Sequence, residues 1–94
     1  MNQFFTLTII LHPSIPSNNR ILTGKIKKET PILDGLISIL ETDEKVASIL
    51  VSGKDIKPGY LLISDKKELK TTGLLNEKFQ TDLEIRIIPI SHGG

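Results

Sequence analysis

No cysteine occurs in the 94 residues. Disulfides, thiol catalysis and cysteine-based metal sites are therefore excluded. Histidine is nearly as scarce: His12 and His92 are the only two, far apart and without ligand-like spacing, so no metal centre is expected. Neither sign of charge dominates. Twelve Lys and Arg stand against eleven Asp and Glu, a formal net charge of +1. A dedicated nucleic-acid binder would concentrate a basic excess on one element. The pairs Lys27-Lys28 and Lys66-Lys67 are too sparse for that, and no direct nucleic-acid partner is expected. Long apolar runs are also missing, so nothing is expected to span a membrane. The opening "MNQFFTLTIILHPS" has no charged lead, and its apolar part alternates. It reads as a strand and not as a signal peptide. The expectation is a cytoplasmic, monomeric domain with one modest core, of ordinary apolar (38%) and charged (24%) content.

What is present is period-two and period-3.6 patterning. In "QFFTLTIIL" (3–11), Phe5, Leu7, Ile9 and Leu11 share one face, and Phe4, Thr6, Thr8 and Ile10 the other, as in a half-buried strand. "HPSIPSNN" (12–19) carries two prolines and two asparagines and reads as a loop, longer than a tight hairpin turn. "RILTGKIKKE" (20–29) resumes as a strand whose lysines suit a sheet edge. Thr30-Pro31 reads as a helix start, a hydroxyl at the N-cap followed by proline at the first helical position. Ile32, Leu33, Leu36, Ile37 and Leu40 then recur at helical spacing opposite Asp34, Ser38 and Glu41, predicting a helix over 31–43.

Beyond the helix, "ASILVSG" (47–53) reads as a short extended piece and "KDIKPG" (54–59) as a loop. "YLLIS" (60–64) is a third main strand. Within 65–82 the charge pattern suggests a short edge strand near Glu68–Lys70 and one helical turn near Asn76–Phe79. "LEIRIIPI" (83–90) is the last strand, with Leu83, Ile85 and Ile87 inward. One helix covers one face of a sheet, giving two layers. Two strands, a crossover helix and further strands fit an α+β β-grasp: a mixed four- to five-stranded sheet, one main helix on one face, and first and last strands parallel at the centre. The segment 65–82 is too broken to supply the second long helix of a ferredoxin-like fold. The domain is read as 1–90, with 91–94 as a flexible tail.

That tail is Ser91-His92-Gly93-Gly94. Chain ends are often frayed, and glycine suits fraying. Alternatively, the terminal carboxylate is the working group. Glycine has no Cβ, so Gly93 and Gly94 can thread a narrow channel, while Ser91 and His92 give reach beyond the sheet.

The stretch "IKPGYLLIS", then Gly73, then "DLEIRIIPISHGG" resembles the ubiquitin-related modifier family, best over about 53–94. The shared features are the Lys57-Pro58-Gly59 turn before an apolar strand, Gly73 after the short strand, and the terminal His92-Gly93-Gly94. The family's Asn-Asp pair and tryptophan after the third strand are replaced by Ser64-Asp65 and no tryptophan. The resemblance implies that the chain is a substrate and not an enzyme. An adenylating enzyme of the ubiquitin-activating type would activate the Gly94 carboxylate with ATP, and Gly93, His92 and Ser91 would serve its recognition of the tail. Sulfur from a donor would then leave a thiocarboxylate, for tRNA thiolation or another sulfur acceptor, or the activated end would be joined to target-protein lysines. No cofactor would be bound by the chain itself. The small subunit of molybdopterin synthase and the thiamine-pathway sulfur carrier share fold and Gly-Gly end. The first remains an alternative, as does a β-grasp interaction domain with an inert tail.

If Leu83, Ile85 and Ile87 face the helix, Ile88 and Ile90 face out beside the tail. The same alternation, started with Leu61 and Ile63 inward, puts Tyr60 and Leu62 outward, with Ile10 of the first strand beside them. Ile90, Ile88, Leu62, Tyr60 and Ile10 are therefore the expected docking patch for the activating enzyme. A bulge at Pro89 would shift this parity.

Overall fold

The computed structural model describes residues 3–90. β1 (Phe4–Leu11) pairs antiparallel with β2 (Ile21–Lys27). Two helices follow, α1 (Ile32–Leu40) and α2 (Glu44–Leu50), and then a two-stranded ribbon of β3 (Val51–Ser52) and β4 (Asp55–Ile56). β5 (Tyr60–Ser64), β6 (Lys67–Glu68), a 3₁₀ turn (Leu74–Asn76) and β7 (Leu83–Pro89) complete the described residues. The main sheet has the order β2-β1-β7-β5-β6, with β1 and β7 parallel at its centre and the other pairs antiparallel. This is the β-grasp expected from the element order. No described helix is long and apolar enough to cross a membrane.

The core follows from the two periodicities. Leu7, Ile9 and Leu11 of β1 and Ile85 and Ile87 of β7 are buried, and the α1 stripe of Ile32, Leu36 and Leu40 lies over them. Asp34, Ser38 and Glu41 point to solvent, as their spacing predicts. Among the described residues every buried side chain is apolar or glycine, so α1 and the sheet meet through dispersion and water exclusion alone. The helix sits close to the segment before β7. A Cβ on Gly35 would lie 2.5 Å from Cε2 of Phe79, a ring that is itself fully buried.

Local expectations fail where distant segments intervene. Thr30 does not cap α1. The cap position falls on Pro31, extended at ψ 142°, and no side chain bonds the first turn. The orphan N–H of Ile32 donates to the Glu77 carbonyl at 2.8 Å, and the Phe79 N–H donates to the Thr30 carbonyl at 2.9 Å. Strand-like pairing with 77–79 thus replaces the hydroxyl cap. α1 also ends at Leu40, short of 43, because Asp43 starts another helix. Its carboxylate accepts from the N–H groups of Lys45 (3.1 Å) and Val46 (3.2 Å). Residues 47–50 are therefore helical, not extended, and only Val51–Ser52 forms a strand. The Asp43 cap with Glu44 in the first turn is a legible start signal, obscured by the β-branched Val46, Ile49 and Val51. The 54–59 loop contains β4, and the helical turn lies at Leu74–Asn76, two residues before the expected one.

Candidate functional site

The expected reactive group, Gly94, and its neighbours Gly93, His92 and Ser91 lie outside the described residues. The platform that carries them is described. β7 leads to Ile90, and both of its flanks are tied down at that end. On one side the His12 N–H donates to the Ile87 carbonyl at 3.0 Å; on the other the Ile90 N–H donates to the Gly59 carbonyl at 2.8 Å. The second tie depends on the Lys57-Pro58-Gly59 turn. Gly59 has φ +99°, a backbone angle that a side chain would strain. Lys57 steadies the turn by donating to the Ser48 carbonyl at 2.7 Å. The first tie depends on the 12–19 loop, whose Ile15 is buried and whose carbonyls are gathered by Arg20.

Pairing register fixes which side chains share the outer face of the sheet. Ile21 lies opposite Ile10, Ile10 beside Arg86, and Arg86 opposite Ile63. The next row toward the exit is Leu61 opposite Ile88. In the other direction come Thr23, Thr8 and Glu84, then Lys25 and Thr6. The face is therefore divided along its strands. Its exit half carries Ile10, Ile21, Leu61, Ile63, Ile88 and Ile90 around one arginine. Its far half is polar up to the sheet's end, where Phe4 is exposed, with Lys25 donating to the Thr6 hydroxyl at 2.8 Å. Arg86 meets Glu84 at 3.3 Å with both side chains more than half exposed, a pair that adds little stability in water.

Of the expected patch, Ile10, Ile88 and Ile90 stand on this outer face. Leu62 and Tyr60 do not. Leu62 lies opposite the inward Ile87 and is fully buried, and Tyr60, opposite Pro89, packs against the core. Leu61 and Ile63 take the outward places instead. The reason is register: antiparallel partners share a face, and Ile87 decides the parity of β5. Pro89 introduces no bulge, since Tyr60–Pro89 continues the regular pairing of Leu61–Ile88 and Leu62–Ile87. Ile21, Ile15 and Arg20 were not singled out in the sequence. Ile21 was recoverable from the alternation of 20–29; nothing in "HPSIPSNNR" reveals that its arginine turns back on its own loop.

At the other end of β5 the carboxylate of Glu68 accepts from the N–H groups of Leu62 (3.1 Å) and Thr71 (2.8 Å). Partial burial raises its pKa. The N–H groups of Thr71, Leu62 and Lys70 and the Thr71 hydroxyl outweigh that and hold the carboxyl below the usual glutamate value. Among the described residues no group of three His, Asp or Glu is placed to hold a metal.

No protein-family model matches the sequence, and no curated protein matches it. Solved structures do match. SAMP1 from Haloferax volcanii superposes with a TM-score of 0.74 at 11% identity, over 95% of this chain and 99% of that one. The small archaeal modifier protein 1 from Methanosarcina acetivorans gives 0.71 at 14% identity, over 99% and 100%. Urm1 from Trypanosoma brucei gives 0.64 at 19% identity, over all of both chains. The chain has the fold of the small archaeal modifiers and Urm1. The divided outer face and the two ties on β7 lie at the end of the described residues, around Ile90.

Proposed function

We propose that this chain is a ubiquitin-like modifier and sulfur carrier whose reactive atom is the carboxyl carbon of Gly94. The observation that carries this reading is the joining of a Gly-Gly end to the final central strand of a β-grasp, beyond a strand fastened at both flanks. The likeness to the small archaeal modifier protein 1, SAMP1 and Urm1 supports it. A carboxylate is a poor electrophile. An adenylating enzyme joins it to the α-phosphorus of ATP with loss of pyrophosphate, making an acyl adenylate. A persulfide sulfur then attacks the carbonyl carbon and AMP leaves. A second thiol attacks the resulting acyl disulfide, releases the Gly94 thiocarboxylate and forms a disulfide with the donor. In conjugation, a lysine amine attacks the acyl adenylate instead, AMP leaves and an amide forms. The cysteine-free chain supplies the substrate, and its partners supply the thiols.

Intact-protein mass spectrometry tests the proposal. The chain is incubated with extract of its source cells, ATP and a sulfide donor. The expected result is exchange of one oxygen for sulfur at Gly94, dependent on ATP. Deleting Gly94 should abolish the exchange and leave the fold unchanged. An unchanged wild-type mass, in an extract that converts a control carrier, would leave an interaction domain with an inert tail. Stable co-purification with a large catalytic subunit would point to the molybdopterin-synthase reading.

A further inference from the structure

The 12–20 segment joins two paired antiparallel strands, a task that two residues can perform. Here nine residues do it, and they are built into a fixed shape. Ile15 is only 2% exposed. The Arg20 guanidinium donates to the carbonyls of His12 (2.7 Å), Ser17 (3.0 Å) and Ile15. The Ile15 N–H closes a turn on the His12 carbonyl at 2.9 Å. The Ser17 hydroxyl donates to the Asn19 carbonyl at 2.7 Å. Pro13 and Pro16 remove backbone freedom before folding begins. Ordering each residue costs roughly 1–2 kcal/mol of conformational entropy, a cost that a tight turn would avoid. The loop's shape therefore serves something other than the connection.

Its position indicates what. The loop's root is tied to Ile87, three residues before Ile90. Because β1 and β7 run parallel, the loop lies at the end of the sheet where β7 ends, and His12, Pro13, Ser14, Pro16, Asn18 and Asn19 are its exposed residues. The three segments around that exit, 10–21, 57–63 and 85–90, contain no Asp or Glu, while His12 and Lys57 lie within them; Arg20 is turned onto its own loop's carbonyls, and Arg86 meets Glu84 just outside them.

We infer that the Arg20-braced loop is a second docking wall for the adenylating enzyme, which closes on it with a carboxylate-bearing surface as the tail enters its ATP site. This inference rests on the reading of the tail given above. Arg20 is a positioning residue: its donors face the loop's own carbonyls, and it acts through the shape they impose. A wall ordered in advance lowers the entropy lost on binding. Contacts far from the carboxylate hold ground state and transition state alike, so they set KM and leave kcat unchanged.

The test is ATP–pyrophosphate exchange by the adenylating enzyme of the source cells, captured on the immobilised wild-type chain with ATP, over a range of chain concentrations. Arg20→Ala should raise KM about tenfold with kcat unchanged, and Arg20→Lys, which keeps a cation without the planar fork, should recover part of the loss. Asn18→Glu changes only an exposed side chain. It should raise KM several-fold, most at low salt, and it decides the matter if Arg20→Ala misfolds. Gln80→Glu makes the same charge change at the far end of β7 and should behave as wild type. Wild-type exchange with an unaltered KM in Asn18→Glu, or an equal rise in Gln80→Glu, overturns the docking wall and leaves the tail reading intact. No exchange with the wild-type chain overturns both.

Discussion

Two long connections in this molecule solve the same problem with opposite charges. Residues 12–20 join β1 to β2, and 65–82 join β5 to β7, both with little regular structure. In the first, backbone carbonyls converge and a guanidinium donates to them. In the second, the Glu68 carboxylate accepts from the N–H groups of Thr71 in the connection and Leu62 in the neighbouring β5. Each has an apolar anchor, but of unequal size: Ile15 alone in the first, and Leu69, Leu75 and Phe79 in the second. A backbone without a ladder still needs partners for its polar groups, and one charged side chain can serve several at once. The sign of that charge follows from whether donors or acceptors are gathered.

The comparison breaks most visibly at the anchors. Phe79 also fills the space beside Gly35, and its neighbouring backbone completes the start of α1. Phe79→Ala is expected to cost about 4 kcal/mol, and Ile15→Ala about 2 kcal/mol, within the range for emptied core sites. Denaturant unfolding of both variants measures this; equal losses would show that the two connections are anchored alike.

A smaller effect sharpens the role of the charges. Arg20→Ala should cost about 1–2 kcal/mol, since three carbonyls lose a charged donor but most regain water. Glu68→Gln should cost about 1 kcal/mol, because the amide still accepts at one oxygen. The reverse order in unfolding experiments would contradict the account of Arg20 as the main brace of its loop.

The smallest effect separates the two by pH. The Glu68 carboxyl is held below its usual value in the folded state, so its contribution is present above the ordinary glutamate value and is lost as pH falls from there through the lower folded value. Residues 12–20 hold no carboxylate. Between about pH 5 and pH 3, hydrogen-exchange protection at Leu62 and Thr71 should fall, and that at Ile15, bonded to the His12 carbonyl, should not. Uniform loss across both connections would mean that Glu68 makes no separate contribution.

The strands at 3–11, 20–29 and 83–90 were legible because their apolar residues alternate with clear sign, and the β-grasp order followed from them. α2 was obscured because its residues favour strands while its start signal is a single aspartate. Thr30 misled because a pairing partner from 77–79 overrode local capping. The outer patch was legible on β1 and β7 but not on β5. "YLLIS" offers apolar side chains to both faces, so either parity is plausible from the letters.

By itself, then, the sequence determined the period of each element, the lack of any cysteine, and the Gly-Gly pair in which the proposed reactivity resides. These are properties of residue type and spacing, present before the chain folds. Only the tertiary structure decided which face Leu61, Leu62 and Ile63 take, what satisfies the first turn of α1, and where the Arg20 guanidinium goes. Each of these depends on a partner distant in sequence or on a loop's closed shape. Hydrogen-bond register and the pairing of backbone groups set them, and neither is encoded in any one segment.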